Sequence, residues 1–373
     1  MTTTLPEHAT DGGATTAGAG PAQGVDEFAE RVLTAALGCI DIMSIYLGDR
    51  LGWYRSLAAE GPCTPEELAG RTGTSARYAR EWLEQQAVTG ILVAEGAQDA
   101  RRYRLPDAAA EVLTDATSLA YMGPMPRLFA ATAGALPELL EAYRTGGGVS
   151  WERLGADARE AQADLNRPWF GELPRAFAEI ADLESVLSRP GARVADVGTG
   201  AGWSAIELGK AYPGLQVDGF DIDEPSIELA RRNAEEAGVS DRVRFHNADG
   251  DGLANHGPFD AAFAFECIHD MARPMDVLAA MRLAVRDGGP VIIMDEAVGE
   301  TPAPAGDTVE RLMYGYSLLC CLPDGLSHQP SVGTGTVMRP GVLRDYARAA
   351  GFADLEILPI EDFGFFRFYS LIS

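Results

Sequence analysis

The sequence predicts an α/β fold: a doubly wound, mainly parallel sheet behind a mainly α N-terminal domain of the winged-helix type. Two observations carry this. From Arg193 onward, short apolar runs alternate with helical patterns, and the first run opens onto a glycine-rich loop, Gly198-Thr199-Gly200-Ala201-Gly202. Before it, Thr64 to Gly90 reads as two capped helices followed by two short strands. The 373 residues exceed one ordinary core, so two domains are expected. We place them at 25–115 and 186–373, joined by a helical connector at 116–185.

The first 24 residues are rich in Ala, Thr, Gly and Pro. They read as a disordered leader, without the apolar stretch of a secretion signal. No run of ~20 apolar residues stands out, so no membrane span is expected. The net charge of −25 repels phosphate backbones and disfavours nucleic acid as a partner. Cys39, Cys63, Cys267, Cys320 and Cys321 form no CxxC pair. Free thiols in a reducing cytoplasm are the expectation, with a strained Cys320-Cys321 disulfide as the alternative.

Residues 25–60 carry two helical patterns. In the next module, Thr64 caps a helix with Pro65 in its first turn, and Glu67 closes a capping box. Ser75 caps a second helix through Tyr78, Trp82, Leu83 and Gln86. Ile91-Leu92-Val93 and Arg102 to Leu105 read as the strands of a wing. Such a module can read DNA, yet Pro62 to Arg104 holds six acids and six bases, where a DNA reader shows a basic stripe. A dimerising, substrate-covering role is the favoured reading. Residues 106–190 look mostly helical, with a loop at Gly146-Gly147-Gly148.

In the last domain Arg193 to Val197 is the first strand, and Asp196 lies two residues before the first glycine. A carboxylate there repels a pyrophosphate and suits a cationic or hydroxyl-rich ligand. The second strand, Leu215 to Phe220, ends at Asp221, placed to accept two ribose hydroxyls. The third, Val243 to His246, leads to Asp249-Gly250, where an acid can accept an adenine amine. The fourth, Phe259 to Phe265, ends at Glu266, and the fifth is Pro290 to Met294. Phe363 to Tyr369 fits the last antiparallel strands. Acids at successive strand ends put a ligand at the carboxyl edge of the sheet.

This series resembles the class I S-adenosylmethionine (SAM)-dependent methyltransferases, which have a Rossmann-like sheet. With Thr64–Gly90 and the tail Gly333 to Pro340, the chain is similar to bacterial winged-helix methyltransferases of small molecules. The resemblance implies SAM as cofactor, with contacts at Asp196, Gly198, Gly200, Asp221, Asp249 and Gly250, and a homodimer built through the N-terminal helices. Ile222 and Glu266 join the cofactor set by position.

His269 follows the fourth strand in Glu266-Cys267-Ile268-His269-Asp270 and suits a general base. The same histidine also reads as a cap of the following helix. His269-Asp270 resembles the pair of plant-type phenolic O-methyltransferases, where an acid after the fifth strand, here Asp295 or Glu296, orients the base. The chain departs from that pattern at Met271-Ala272-Arg273-Pro274, which lacks the usual tryptophan. Trp169, Met313, Tyr314 and Leu318 are expected to line the acceptor pocket. These residues point to O-methylation of an aromatic or polyketide-like acceptor. Two alternatives stay open. One is iron-dependent C-methylation of a 2-oxo acid, with His269, His328 and Asp270 as ligands. The other is a SAM-sensing DNA-binding regulator.

Overall fold

The computed structural model describes residues 24–97, 100–303 and 305–373. The expected leader, His8 within it and Asp99 of the wing lie outside them. Contacts divide the chain into a unit ending at Ile42 and a compact unit from Met43 to Ser373.

The first unit holds most of α1 (Val25–Arg50). Phe28, Val32, Leu33, Leu37 and Ile40 are all exposed on it. By length and composition alone α1 is long and apolar enough to cross a membrane, a test that core helices of soluble proteins and signal sequences also pass. Asp26, Glu27, Glu30 and Arg31 near its start and Asp41 within it interrupt the apolar run, while an 18-residue window keeps a mean hydropathy of 1.5.

In the second unit, α2 (Trp53–Glu60), α3 (Pro65–Thr72), α4 (Ala76–Val88), β1 (Val93–Glu95) and β2 (Arg102–Arg104) form the winged helix. Gly52, at φ 71°, breaks the chain between α1 and α2. Thr64 and Glu67 form the full capping box of α3. Ser75 stands at the N-cap of α4, but its hydroxyl caps nothing. The first wing strand starts at Val93, two residues late. The N–H groups of Ile91 and Leu92 instead donate to the Gln86 carbonyl and close α4.

Helices α5 (Asp107–Thr114), α6 (Met125–Gly134), α7 (Leu136–Thr145), α8 (Trp151–Ala178) and α9 (Ala181–Leu187) follow. A left-handed Gly155 kinks α8. Arg127 in α6 is buried and forks onto Asp49, with Nε–Oδ2 2.5 Å and Nη2–Oδ1 3.1 Å, and reaches Asp164 of α8 at 2.8 Å. It ties the end of α1 to the helical layer that carries the site.

The sheet alternates as expected: β3 (Arg193–Val197), α10 (Trp203–Ala211), β4 (Gln216–Asp221), α11 (Glu224–Glu236), β5 (Val243–Asn247), β6 (Ala261–Phe265), α12 (Pro274–Ala284) and β7 (Val291–Glu296). An insertion then supplies α13 (Thr308–Tyr316), a π-helical turn at Ser317–Cys321 and α14 (Leu322–Ser327). The chain ends with α15 (Pro340–Ala349), β8 (Asp354–Ile357) and β9 (Phe366–Ile372). The strand order is β5-β4-β3-β6-β7-β9-β8, with β9 antiparallel to β7 and β8. Strands β6 and β7 are buried throughout, as a sheet covered on both faces demands. Chain order reverses between β3 and β6, which opens a crevice at their carboxyl ends. The last strand begins at Phe366, three residues later than expected, because left-handed Gly364 turns the chain just before it.

Candidate active site

The glycine loop leaves β3 under tight backbone control. Gly198 and Thr199 donate to the Phe220 carbonyl at 2.8 and 3.1 Å. A Cβ on Gly198 would lie 2.6 Å from Cys267 Sγ, so only glycine fits there. A Cβ on Gly200 would meet nothing within 4 Å, so the loop backbone fronts open space.

Asp196 departs from its expected role. It is fully buried and does not line the cavity. Its Oδ2 accepts the hydroxyls of Thr199 (2.7 Å) and Ser204 (2.6 Å), while Oδ1 has no partner. Burial pushes its carboxyl up to about 6, against those two hydrogen bonds. Asp196 thus braces the loop from behind. Spacing located the strand end, but the strand's pleat aimed this side chain away from the cavity.

Asp221 does face the cavity. It accepts Gly200 N–H and Asp223 N–H, both at 2.9 Å, and burial raises its carboxyl. Ile222 beside it is 59% exposed and lines the same space. Asp249 is exposed at the cavity wall and caps a short 3-10 turn through Asp251 N–H. Gly250 lies against Val197 and Val277, where a Cβ would clash at 2.8 and 3.0 Å. Glu266 is forced into a left-handed backbone, φ 51°. Its Oε2 accepts amide hydrogen bonds from Gln162 (3.0 Å) and Asn166 of α8. Burial raises its carboxyl to about 7.

His269 is 2% exposed and lines the cavity. Its Nδ1 lies 2.9 Å from Asp295 Oδ1 and 3.3 Å from Glu296 Oε2. Its Nε2 lies 3.1 Å from Asp270 Oδ1, but that oxygen has no aligned hydrogen bond. Burial opposes a charge on this imidazole. The fields of Asp270, Asp295 and Glu296 outweigh it and hold its pKa well above the ordinary value. Asp295 is held low, chiefly by His269 against the burial that opposes it, while burial drives Glu296 well up. The surroundings thus favour charge on His269 and Asp295 and the neutral form of Glu296.

The cavity has a volume of about 850 Å³. Trp169 and Met313 line it, and Trp169 packs on Phe363 at 5.6 Å. Tyr314 and Leu318 do not line it; they are 42% and 50% exposed. On a helix that turns Met313 inward, positions 316 and 320 share its face and 314 and 318 do not. Tyr316, Cys320 and Cys321 line the cavity in their place. Sequence reasoning also missed Arg159, Gln162 and Asn166, although their spacing of three and four residues puts them on one face of α8. Arg159 grips Asp223 with two bonds, 2.6 and 2.8 Å. Asp324, which accepts Trp151 N–H at 2.7 Å, was missed too.

The iron ligand set does not assemble as expected. Among the described residues, the groups with metal-ligand spacing around His269 are Asp270 with Cys321, and Asp295 with Glu296. His328 belongs to neither, because it follows the end of α14 and is exposed. All five cysteines are free, including Cys320 and Cys321.

Residues 194–289 match the family model of a methyltransferase domain, and residues 38–115 match that of the Rv2258c-like winged HTH domain. The chain carries a SAM-dependent methyltransferase domain. Its sheet is that of the class I enzymes. The release factor glutamine methyltransferase of Chlorobaculum tepidum is 44% identical over 101 residues, 24% of this chain and 34% of that protein. The 27-O-demethylrifamycin SV methyltransferase of Amycolatopsis mediterranei is 31% identical over 157 residues, 42% and 52% of the two chains. The chain thus spans a third to a half of the length of these relatives. Solved structures match far more of it. Mitomycin 7-O-methyltransferase superposes with a TM-score of 0.69 at 21% identity, covering 92% of this chain and 98% of that one. Human N-acetylserotonin methyltransferase, solved in complex with SAM, gives 0.62 at 21% identity, covering 95% and 99%. At such identities the likeness is one of fold.

The residues present fit SAM. The Gly200 backbone fronts open space, and carboxylates at Asp221 and Asp249 can accept from ribose hydroxyls and an adenine amine.

Proposed function

We propose that the chain methylates a hydroxyl of a small aromatic or polyketide-like acceptor, with His269 as the general base. The observation that carries this reading is the buried His269–Asp295 pair in the wall of the cavity that the glycine loop also fronts. The printed activities of the rifamycin and mitomycin enzymes are in keeping with it.

When bound, SAM supplies an electrophilic methyl on a sulfonium. Asp221 and Asp249, with Ile222 and the backbone of Gly198, Gly200 and Gly250, hold that cofactor. Asp295 fixes the tautomer of His269, with Nδ1–H donated to the carboxylate and Nε2 left as the acceptor. The acids around the ring make it a strong proton acceptor, so an aryl hydroxyl of ordinary pKa ~10 gives up its proton more readily here than to free imidazole. The same acids favour the charged ring, so the share able to act as a base grows as pH rises.

The winged helix is read as a covering and dimerising module. Both arginines of α4 are engaged with acids, Arg77 with Glu81 and Arg80 with Glu66, and the wing arginines Arg102 and Arg104 with Glu67 and Glu95. That pairing disfavours a DNA regulator. The exposed apolar residues of α1 support a homodimer. Five free thiols suit a cytoplasmic setting. The working division is a module at 25–115, a helical connector at 116–185 and the cofactor domain at 186–373.

The test is transfer of labelled methyl from SAM to a panel of hydroxylated aromatics, with wild type beside His269→Ala. Transfer that the variant loses supports the reading. Transfer undiminished in the variant, or no labelled product from the panel, contradicts it.

A further inference from the structure

The acceptor side of the cavity carries a group of carboxyls, and most of the cations beside it are already paired with other acids. Glu266, Asp270, Glu296 and Asp324 all line it. The basic side chains in the same lining are His269, Arg159, Arg273 and the exposed His328. His269 is committed to Asp295 (2.9 Å), Arg159 to Asp223 (2.6 Å) and Arg273 to Asp251 (2.6 Å).

Two carboxyl oxygens in this space, Asp270 Oδ1 and Glu296 Oε2, lie 3.1 and 3.3 Å from His269 nitrogens but receive no aligned hydrogen bond. Glu296 is only 5% exposed, so water does not readily serve it. An orphaned buried acceptor is costly, and a ligand that donates to it recovers that cost. A hydroxyl brings one donor; an ammonium brings three and a charge.

Resting on the methyl-transfer reading above, we propose that the acceptor carries a protonated amine, held in the space bounded by Glu266, Asp270 and Asp324, while its hydroxyl meets His269. The apolar wall of Met313, Tyr316 and Trp169 takes the ring that joins the two groups. Burial first, and then the negative charge of neighbouring acids that include Asp270, raise Glu266 and Asp324 to about 7. A bound ammonium lowers both and releases protons.

The test is calorimetric titration of the S-adenosylhomocysteine-loaded protein at about pH 8, where groups near 7 are ionised. The probes are tyramine and its neutral isostere 4-propylphenol. The loaded state has no sulfonium, so any preference belongs to the acceptor side. Tyramine is expected to bind at least about tenfold tighter, a preference that Asp324→Asn reduces with S-adenosylhomocysteine affinity unchanged and that Glu266→Gln reduces as well. Equal or weaker binding of tyramine, or binding of neither probe, overturns the proposal. Loss of S-adenosylhomocysteine binding in Glu266→Gln puts Glu266 on the cofactor and overturns its assignment to the amine. Failure of the wild type to load at all contradicts the methyltransferase reading itself, a distinct outcome.

Discussion

At the scale of residues, the chemistry turns on how three acids act on one imidazole. A base works only when neutral, and the raised pKa of His269 means that its neutral fraction grows as pH rises. The acid limb of the kcat/KM profile is therefore expected above the ordinary value of ~6.5. Asp295→Asn removes one of the charges that hold the proton and moves that limb to lower pH, while turnover falls because the ring loses its orienting partner. A pH-rate profile of wild type and variant checks both; a limb that stays put under Asp295→Asn removes Asp295 from the mechanism. His269→Ala is expected to lose roughly 10²–10⁴ in kcat while cofactor affinity holds. Much of this site is legible in the sequence, because a strand end followed by an acid is a local pattern. Asp221, Asp249, Glu266 and His269 all reach the cavity on that basis. Asp196 does not, since spacing locates a strand end but not the face its side chain takes.

At the scale of elements, helix period decides what sequence position alone leaves ambiguous. Met313 and Tyr316 face inward while Tyr314 and Leu318 face out, although all four fit an apolar lid by composition. The α8 face of Arg159, Gln162 and Asn166 was hidden because polar residues on a connecting helix look like a solvated surface. Their role appears only once the fold brings Asp223 and Glu266 beside them. The capping box is the opposite case, since it is local and complete in the sequence. Thr64→Ala is expected to cost about 1 kcal/mol of unfolding free energy, measured by denaturant titration, with no change in cofactor affinity. A neutral result would mean that α3 is held by the packing of Leu68 alone.

At the scale of the molecule, the unit from Met43 to Ser373 is tied together by a buried charge cluster. Arg127 sits on Asp49 and Asp164, and Arg55 adds a contact to Asp49 at 3.0 Å. Breaking such a cluster by one partner is worse than removing it whole. Arg127→Met is expected to destabilise by about 3–5 kcal/mol, and Asp49→Asn in the same chain to restore part of that, as read from thermal unfolding. Long-range contacts of this kind leave no periodic trace, which is why neither sequence pattern nor motif foretold them. The sheet topology was legible because each strand, loop and helix repeats one local unit.

The central claim is that the glycine loop and the acids at the ends of β4 and β5 form a SAM site. Titration of the purified protein with SAM and S-adenosylhomocysteine, beside Asp221→Ala, tests it most directly. The account predicts micromolar binding of both ligands to the wild type and at least about a tenfold loss in the variant. No binding to the wild type, or equal binding to the two proteins, would contradict it.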